Sequence, residues 1–451
     1  MHPLLILTAT LALLFILILK FRLNAFLALV VCATVAGILA PQIPLPTVMF
    51  KVAESFGSLA GRIGIVIALA AIVGECLLES GAADKITRVA VRLLERERAS
   101  LALLAAGYLL ALPVFFDTVF YLLIPLARSM GVRSREQYLL FVMSICAGGI
   151  CTHCLVPPTP GPLAMASILG IDLGVMILAG ALVAIPMAFA GWLFAKWRNR
   201  ALQLPLREAP GLSIAGLENI ASADEASLPG LATSLLPVVL PVILIISNTL
   251  ISALWPGSGA AGVSSLIGNA NFALMVAAAF ALFLLARHKG YGPARLAETV
   301  ERSLASAGLI ILITAAGGAL GAVLMEAGAG TALGALAARM HMPPLLTGFL
   351  LAALFKIAQG SSTVAMITTA SIMAPMLGGS PSTSQRVYLA FAMGSGAMVG
   401  AWMNDSAFWV YKQMSGFTET ETLKTWTPLL AVIGVTGYLT VQLLSMALPL
   451  R

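Results

Sequence analysis

The chain has 451 residues, of which 60% are hydrophobic and only 10% are charged, and its mean hydropathy is +0.99. An average soluble protein is about 45–50% apolar and about 25% charged. The few polar side chains here cannot cover a globular surface in water, which excludes soluble enzymes, disordered chains, collagens and coiled coils. Long continuous apolar runs also exclude an outer-membrane barrel, whose strands alternate over about ten residues. The fold class that remains is an all-α polytopic membrane protein.

The net charge of +7 does not indicate nucleic-acid binding. In membrane proteins an excess of Lys and Arg usually marks cytoplasmic loops. The five cysteines all lie in apolar stretches, which disfavours a secreted disulfide framework. The first twenty residues lack a basic start and a small-residue cleavage site, so we expect a first membrane span and not a removed signal peptide.

A membrane span needs about 20 mostly apolar residues. This criterion predicts about ten spans, at residues 3–20, 23–40, 63–80, 139–170, 172–196, 235–254, 264–286, 305–326, 386–410 and 427–448. Two further apolar segments, 101–127 and 345–376, are interrupted at PVFFDTVF (113–120) and KIAQGSSTV (356–364). Each of these two segments is either one broken span or a re-entrant hairpin.

The distribution of Lys and Arg favours re-entrant hairpins for both interrupted segments. With the N-terminus outside, 20 of the 26 Lys and Arg residues then lie in cytoplasmic loops, 5 lie on the opposite side, and Lys356 lies within the membrane. This split follows the positive-inside rule. A full crossing by 101–127 would instead place the basic loops 81–98 and 128–138 on opposite faces of the membrane.

The sequence repeats itself at an offset of 247 residues. IALAAIVGECLLESGA (67–82) aligns with TAAGGALGAVLMEAGA (314–329), and the break at Asp117 and the glycines from Gly148 recur at nearly the same offset. The third span thereby pairs with the eighth, so the two copies have opposite orientations. Inverted repeats with interrupted helices indicate a secondary transporter.

We therefore predict two repeat halves and a linker. The N-terminal half (1–196) contains the first hairpin and a broken helix at 139–170, and the C-terminal half (235–451) contains the second hairpin and a broken helix at 386–410. The polar, proline-containing segment 197–234 is predicted to be a cytoplasmic linker. No P-loop pattern occurs, so no nucleotide site on this chain powers transport.

All four interruptions carry polar residues. They are PVFFDTVF (113–120), HCLVPPTPGPLA (153–164), KIAQGSSTVAM (356–366) and MNDSAFW (403–409). Irregular backbone at membrane depth is tolerated only where it is buried in protein or lines a wet cavity. Opened helix ends supply free N–H groups for a carboxylate and free carbonyls for a cation. Each interruption is therefore a candidate part of a binding site.

The segments FFDTVFYLLIPLA, HCLVPPTPGP, KIAQGSSTVAM and MNDSAFW resemble the gluconate permease family of sugar-acid:proton symporters in the ion-transporter superfamily. The resemblance covers nearly the whole chain. It implies two hairpins and two broken helices in inverted repeats, a cell inner (cytoplasmic) membrane location and no cofactor. Two positions depart from the family: Thr159 stands where a histidine is usual, and Lys356 where an arginine is usual. Lysine is a weaker bidentate clamp for a carboxylate than arginine, so the substrate class carries over better than gluconate itself.

The predicted substrate is a small hydroxy-carboxylate taken up with a proton. Its carboxylate is expected to meet Lys356 and the opened helix ends, and its hydroxyls are expected to meet Asn404, Thr159, Gln359 and the Ser/Thr tips. The predicted substrate-binding residues are Thr118, His153, Thr159, Gly161, Lys356, Gln359, Gly360, Ser361, Ser362, Thr363, Asn404 and Ser406.

Two carboxylates in the interruptions, Asp117 and Asp405, are predicted to carry the proton. An anion beside a carboxylate favours the protonated form of that carboxylate, so substrate and proton would reinforce each other's binding. We favour Asp405, because Asn404 and Ser406 flank it in a break that can open to water on either side.

Several alternatives stay open for these residues. Lys356 and an aspartate can form a purely structural pair, His153 can cap a broken helix, and Ser361, Ser362 and Thr363 can serve as N-caps. The run Cys151-Thr-His-Cys154 lacks the further paired ligands of a zinc site, so we predict no metal. The sequence contains neither a GxSxG nor an HExxH motif, so we predict that the protein is not an enzyme.

The partners expected are the organic anion, its coupling ion and the lipid bilayer, without nucleic acid. Sodium-coupled carboxylate transport is the alternative to proton symport, with sodium held around the two hairpin tips. A passive anion channel is a third reading, which predicts no uphill accumulation. A homodimer is the assembly that we keep open.

Overall fold

The structure is a computed structural model that describes residues 2–21, 23–93, 99–112, 115–133, 135–207, 228–255, 258–329, 332, 342–377, 382–403 and 405–447. Within these ranges the chain is helical and contains no strand. Seven helices are long and apolar enough to cross a membrane, and shorter apolar helices accompany them. The all-α polytopic fold class is thereby confirmed.

The first half of the chain carries nine α-helices within its described ranges. In order they are α1 (Pro3–Phe15, continued by the π-helical turn Ile16–Lys20), α2 (Ala25–Leu39), α3 (Val48–Glu79), α4 (Ala82–Leu93), α5 (Ala99–Leu110), α6 (Phe116–Arg133), α7 (Tyr138–Leu155), α8 (Pro160–Leu169) and α9 (Leu173–Leu202). α3 begins well before the predicted span 63–80 because its first turns are amphipathic. Val48 and Val52 are buried there while Glu54 is exposed, and a search for continuous apolar runs does not detect such a segment.

The described part of the second half carries nine more. They are α10 (Leu231–Leu254), α11 (Gly259–Ile267), α12 (Ala270–Lys289), α13 (Pro293–Glu326), α14 (Pro344–Gln359), α15 (Ser362–Met373), α16 (Thr383–Gly396), α17 (Ser406–Ser415) and α18 (Glu419–Ala447). The predicted linker 197–234 is therefore helical at both ends, in α9 and α10. Its middle, residues 208–227, lies outside the described residues.

Both interrupted apolar segments form pairs of helices. In the second pair, α14 and α15 run antiparallel, because Gly348 near the start of α14 lies about 3.7 Å from the Met373 side chain at the end of α15, measured from where a Cβ would be. The first pair, α5 and α6, packs jointly on α4 and α7. Pro113 and Val114 of the predicted interruption 113–120 lie outside the described residues, and α6 resumes at Phe116.

The two broken helices, α7–α8 and α16–α17, lie side by side and are connected by hydrogen bonds at both of their ends. Arg386 in the first turn of α16 donates to the carbonyls of Leu169 and Gly170 at the end of α8, at 3.3 and 3.2 Å. At the other end, Tyr138 in the first turn of α7 donates to the Ser415 carbonyl at the end of α17, at 2.8 Å. Each broken helix thus begins where the second segment of the other one ends, so the two are antiparallel.

The long helices α3 and α13 form a second antiparallel pair. Lys51 near the start of α3 pairs with Glu326 at the end of α13, and Glu79 at the end of α3 pairs with Arg302 near the start of α13. In addition, α2 packs on α13 while α12 packs on α3. These reciprocal contacts are the pattern that two related halves of opposite orientation produce.

Glycines permit the same close packing in both halves. A Cβ on Gly148 of α7 would lie 2.0 Å from the Leu104 carbonyl oxygen of α5, and a Cβ on Gly396 of α16 would lie 2.1 Å from the Phe349 carbonyl oxygen of α14. Only glycine allows backbones to approach so closely. α7 is thereby held closely against α5, and α16 is held closely against α14.

Candidate functional site

Four helices begin at one cavity of about 230 Å³. The helices are α6, α8, α15 and α17, and each contributes a residue of its first turn to the lining. The first N–H groups of a helix have no partner within the helix, and its N-terminus carries roughly half a positive elementary charge. Parts of all four predicted interruptions therefore come together at a place suited to an anion.

Lys356 brings the one full positive charge among the described lining residues. It lies in the last turn of α14, is 1% exposed, and donates from Nζ to the Gly360 carbonyl at 2.5 Å. Gly360 follows α14 with φ +85°, a left-handed conformation that favours glycine. This turn aims the Gly360 carbonyl back at the lysine and lets α15 begin immediately afterwards.

A buried ion pair joins the end of α14 to the start of α17. Lys356 Nζ lies 2.9 Å from Asp405 Oδ2, and Asp405 is 6% exposed. The other carboxylate oxygen of Asp405 accepts a hydrogen bond from the Ala407 N–H at 3.1 Å, which caps α17. An ammonium group has three N–H donors, and the described residues use two of them. The third is available to a ligand carboxylate.

Asp117 differs from Asp405 in having no ion pair or hydrogen bond to its side chain among the described residues. It lies in the first turn of α6 and lines the cavity. The N-terminus of α6 stabilises a negative charge at this position, and Lys356 on the same cavity attracts it without forming an ion pair with it. The two carboxylates predicted from the interruptions therefore have different environments: one is paired and one is free.

The predicted serine and threonine tip of the second hairpin lies on the cavity. Ser361, Ser362 and Thr363 all line it, and so does Ser406 of α17. Ser361 also caps α15, because its hydroxyl accepts from the Val364 N–H at 3.3 Å. Capping and contact with the cavity occur together at this tip.

The break between α7 and α8 contributes differently. His153 lines the cavity, and its buried Nδ1 has no hydrogen-bond partner among the described residues. The Thr159 hydroxyl, in contrast, donates to the carbonyls of His153 and Val156 at 2.8 and 2.6 Å, which closes the break internally. Gly161 allows α8 to approach α15, since a Cβ there would lie 2.1 Å from the Met366 side chain.

The structure does not bring every predicted residue onto the cavity. Thr118, Thr159, Gly161 and Gly360 are not among the described residues that line it, although each neighbours one that does. Asn404 lies outside the described residues, and so does the side chain of Gln359. The substrate-binding roles predicted for all six of these residues stay predictions.

Sequence reasoning missed the walls of the cavity that come from unbroken helices. α13 contributes Ile310, Ile313 and Thr314, and α18 contributes Trp426 and Leu430. The spacing of Ile310, Ile313 and Thr314 places them on one helix face, which is the only signal that the sequence carries for this wall. Trp426 packs against Phe116 and Tyr411, with ring centroids 5.8 and 5.2 Å apart.

Comparison with known protein families gives a match over nearly the whole chain. The model of the GntP family permeases matches residues 2–447. Among curated relatives, the gluconate permease of Pseudomonas aeruginosa is 34% identical over 96% of each chain. The low-affinity gluconate transporter of Escherichia coli K12 is 33% identical over 98% of this chain and 99% of the relative. The Gnt-II system L-idonate transporter of the same organism is 31% identical over 99% and 100%.

The fold is also similar to that of a solved transporter. The YdaH transporter of Alcanivorax borkumensis superposes with a TM-score of 0.61 over 90% of each chain, at 14% sequence identity. At this identity the likeness concerns the fold alone. A transporter fold is consistent with the interrupted helices described above.

Proposed function

The chain belongs to the GntP family of permeases, and we propose that it imports a gluconate-like sugar acid by proton symport across the cell inner membrane. It is a multi-pass membrane permease and not an enzyme. The sugar-acid substrate is supported by relatives named as gluconate and L-idonate transporters. The observation that carries the proposal is the convergence of four helix N-termini and Lys356 on one cavity.

The size and charge of the cavity support a small carboxylate. Pockets for drug-sized ligands measure about 300–1,000 Å³, whereas this one measures about 230 Å³. Lys356 has an N–H that no described residue accepts, and the N-termini of α15 and α17 add partial positive charge beside it. We assign the substrate carboxylate to this group of donors, with Ser361, Ser362, Thr363 and Ser406 at its edge.

The sequence alone favours Asp405 as the residue that carries the proton, but the side-chain contacts in the structure favour Asp117. Asp405 is the partner of Lys356 and caps α17, so protonating it would remove the ion pair and weaken the cap. Asp117 makes no such contact with a described residue and lines the same cavity. Protonation of Asp117 therefore breaks no ion pair among the described residues; it opposes the attraction of the α6 N-terminus and of Lys356, and it removes a negative charge that repels an incoming anion.

Charge counting predicts that one proton accompanies one anion without net charge movement. Among the described lining residues, Lys356 is the basic one and Asp405 and Asp117 are the acidic ones. With Asp117 ionised, these three groups sum to one negative charge. With Asp117 protonated and a singly charged substrate bound, the sum is again one negative charge. The empty and the loaded protein would then respond equally to the membrane potential.

Orientation is part of the proposal. Under the positive-inside rule the linker 197–234 and the Glu79–Arg302 end of the α3–α13 pair are cytoplasmic, and both chain ends are outside. We propose that the two helix pairs α5–α6 and α14–α15 are re-entrant hairpins. The repeat halves 1–196 and 235–451 and a homodimer remain predictions.

Reconstitution into proteoliposomes tests the function. Uptake of radiolabelled gluconate is measured under an imposed pH gradient, an imposed sodium gradient or neither, with competing sugar acids and simple carboxylates. We expect uphill accumulation of a sugar acid that follows the pH gradient. Accumulation that follows sodium would indicate the sodium-coupled alternative, and equilibration without accumulation would indicate an anion channel.

A further inference from the structure

Three side chains on the cavity carry a buried polar atom with no hydrogen-bond partner among the described residues. They are His153 Nδ1, Thr314 Oγ1 and Trp426 Nε1. Leaving such an atom unpaired in the protein interior is energetically unfavourable, so each of them favours a polar ligand in the cavity. His153 belongs to an interruption, whereas Thr314 and Trp426 belong to the unbroken helices α13 and α18.

Thr314 is one of four described threonines whose buried hydroxyl has no hydrogen-bond partner, with Thr10, Thr368 and Thr369, and it is the one of the four that lines the cavity. A helical threonine commonly donates to the carbonyl four residues earlier, as Thr299 does to Arg295 at 3.2 Å and Thr422 does to Thr418 at 2.9 Å. Thr314 is 0% exposed and makes no such bond. Its neighbours on the cavity, Ile310 and Ile313, are aliphatic, so its hydroxyl is the polar group of that wall.

Trp426 is the corresponding polar group of the α18 wall. It is 0% exposed, and its ring is fixed between Phe116 and Tyr411. The indole N–H is a donor only, so it requires an acceptor such as a hydroxyl oxygen. Buried tryptophans usually find such a partner, and here the described protein residues supply none.

We infer that Thr314 and Trp426 bind hydroxyl groups of the substrate and so determine specificity for a polyhydroxylated acid. This inference rests on the proposed function, because the charged groups of the site already account for the carboxylate. A hydroxyl oxygen accepts from the Trp426 N–H, and a second hydroxyl exchanges a hydrogen bond with Thr314. A simple fatty acid of the same length satisfies neither group, and a site built to bind hydroxyls discriminates strongly against it.

The test pairs protein variants with substrate analogues. Thr314→Val and Trp426→Phe each remove the polar group and keep most of the volume. Binding to purified protein is measured for gluconate, for each monodeoxygluconate and for hexanoate. We expect each variant to bind gluconate roughly tenfold more weakly, as the loss of one hydrogen bond implies. For the one monodeoxy analogue that lacks the hydroxyl contacted by the mutated side chain, the variant and the wild type should have equal affinities, because the hydrogen bond is already absent from the wild-type complex.

Matched controls separate this role from a structural one. The Thr368 hydroxyl of α15 is equally buried and unpartnered among the described residues, but it does not line the cavity. Thr368→Val should therefore leave the whole panel unchanged, and Thr314→Ser, which keeps the hydroxyl, should retain wild-type discrimination.

Two results would contradict the assignment. If Thr314→Val and Trp426→Phe weaken every ligand by the same factor, hexanoate included, or change none, these residues do not read hydroxyls. If the wild type binds hexanoate but no aldonate, the proposed function itself is wrong, which is a different outcome.

Discussion

Replacing Lys356 by methionine tests the buried pair and the anion site together. Methionine keeps the apolar volume of the side chain but removes the charge. Asp405 is then left 6% exposed with no cation at 2.9 Å. Removing one partner of a buried ion pair destabilises a protein by about 3–5 kcal/mol, because the other charge stays buried and uncompensated. Losing the bond to the Gly360 carbonyl acts in the same direction, by about 1 kcal/mol.

The double variant Lys356→Met/Asp405→Asn separates stability from binding. Removing both charges abolishes the uncompensated carboxylate, so most of the 3–5 kcal/mol should return. Affinity for gluconate should not return, because a hydrogen bond to a charged group contributes about 1.5–3 kcal/mol, or roughly 10- to 150-fold in affinity. Lys356→Arg should keep part of the affinity, since a guanidinium presents a carboxylate with a planar fork.

Thermal unfolding of the purified protein in detergent, with and without gluconate, measures both quantities. The single variant should unfold at a lower temperature than the double variant, and neither should be stabilised by gluconate. A double variant as unstable as the single one would refute the reasoning about the pair. A Lys356→Met protein that binds gluconate with wild-type affinity would refute the reasoning about the site.

Three further predictions concern the hairpin tip, a buried arginine and topology. Gly360→Ala forces a side chain into φ +85°, which costs of order 1–3 kcal/mol, and should weaken gluconate binding; Gly416→Ala, at φ +70° away from the cavity, should lower stability alone. Arg128 is 0% exposed and donates to the Tyr138 hydroxyl and to backbone carbonyls. Arg128→Met should therefore lower the free energy of unfolding by about 2–3 kcal/mol without changing affinity in a titration. A cysteine introduced by Ile220→Cys should react with impermeant maleimide only from the cytoplasmic side, because the linker 197–234 is proposed to lie there. The five native cysteines are buried and should not add to the labelling.

The sequence alone predicted the parts of the site that break a rule. A charged residue in a span and a proline or glycine in a helix are both anomalous, and Lys356, Asp405 and Asp117 were found for that reason. What the sequence could not supply was the partner of each group. Lys356 lies 2.9 Å from Asp405, whereas Asp117 has no ion pair among the described residues, and this distinction depends on how α14, α17 and α6 pack.

The residues that were missed obey the rules of an ordinary span. Thr314 and Trp426 lie in unbroken apolar helices, where a threonine normally satisfies itself and a tryptophan near a span end is normally an interfacial anchor. Charge counting places Arg128 in a cytoplasmic loop, yet it is buried against the end of α17. Loop charge counting uses position along the chain and contains no information about burial.

The most direct test of the account is proton-driven accumulation by the Asp117→Asn protein. In proteoliposomes with the membrane potential clamped to zero, the wild type should accumulate gluconate about tenfold per unit of pH gradient, as one proton per anion requires. Asp117→Asn imitates the protonated carboxylate, so it should exchange internal for external gluconate but accumulate none, whereas Asp84→Asn, away from the cavity, should behave as the wild type. Uphill accumulation by Asp117→Asn would contradict the assignment of the proton to Asp117, and accumulation that follows sodium in the wild type would contradict proton symport.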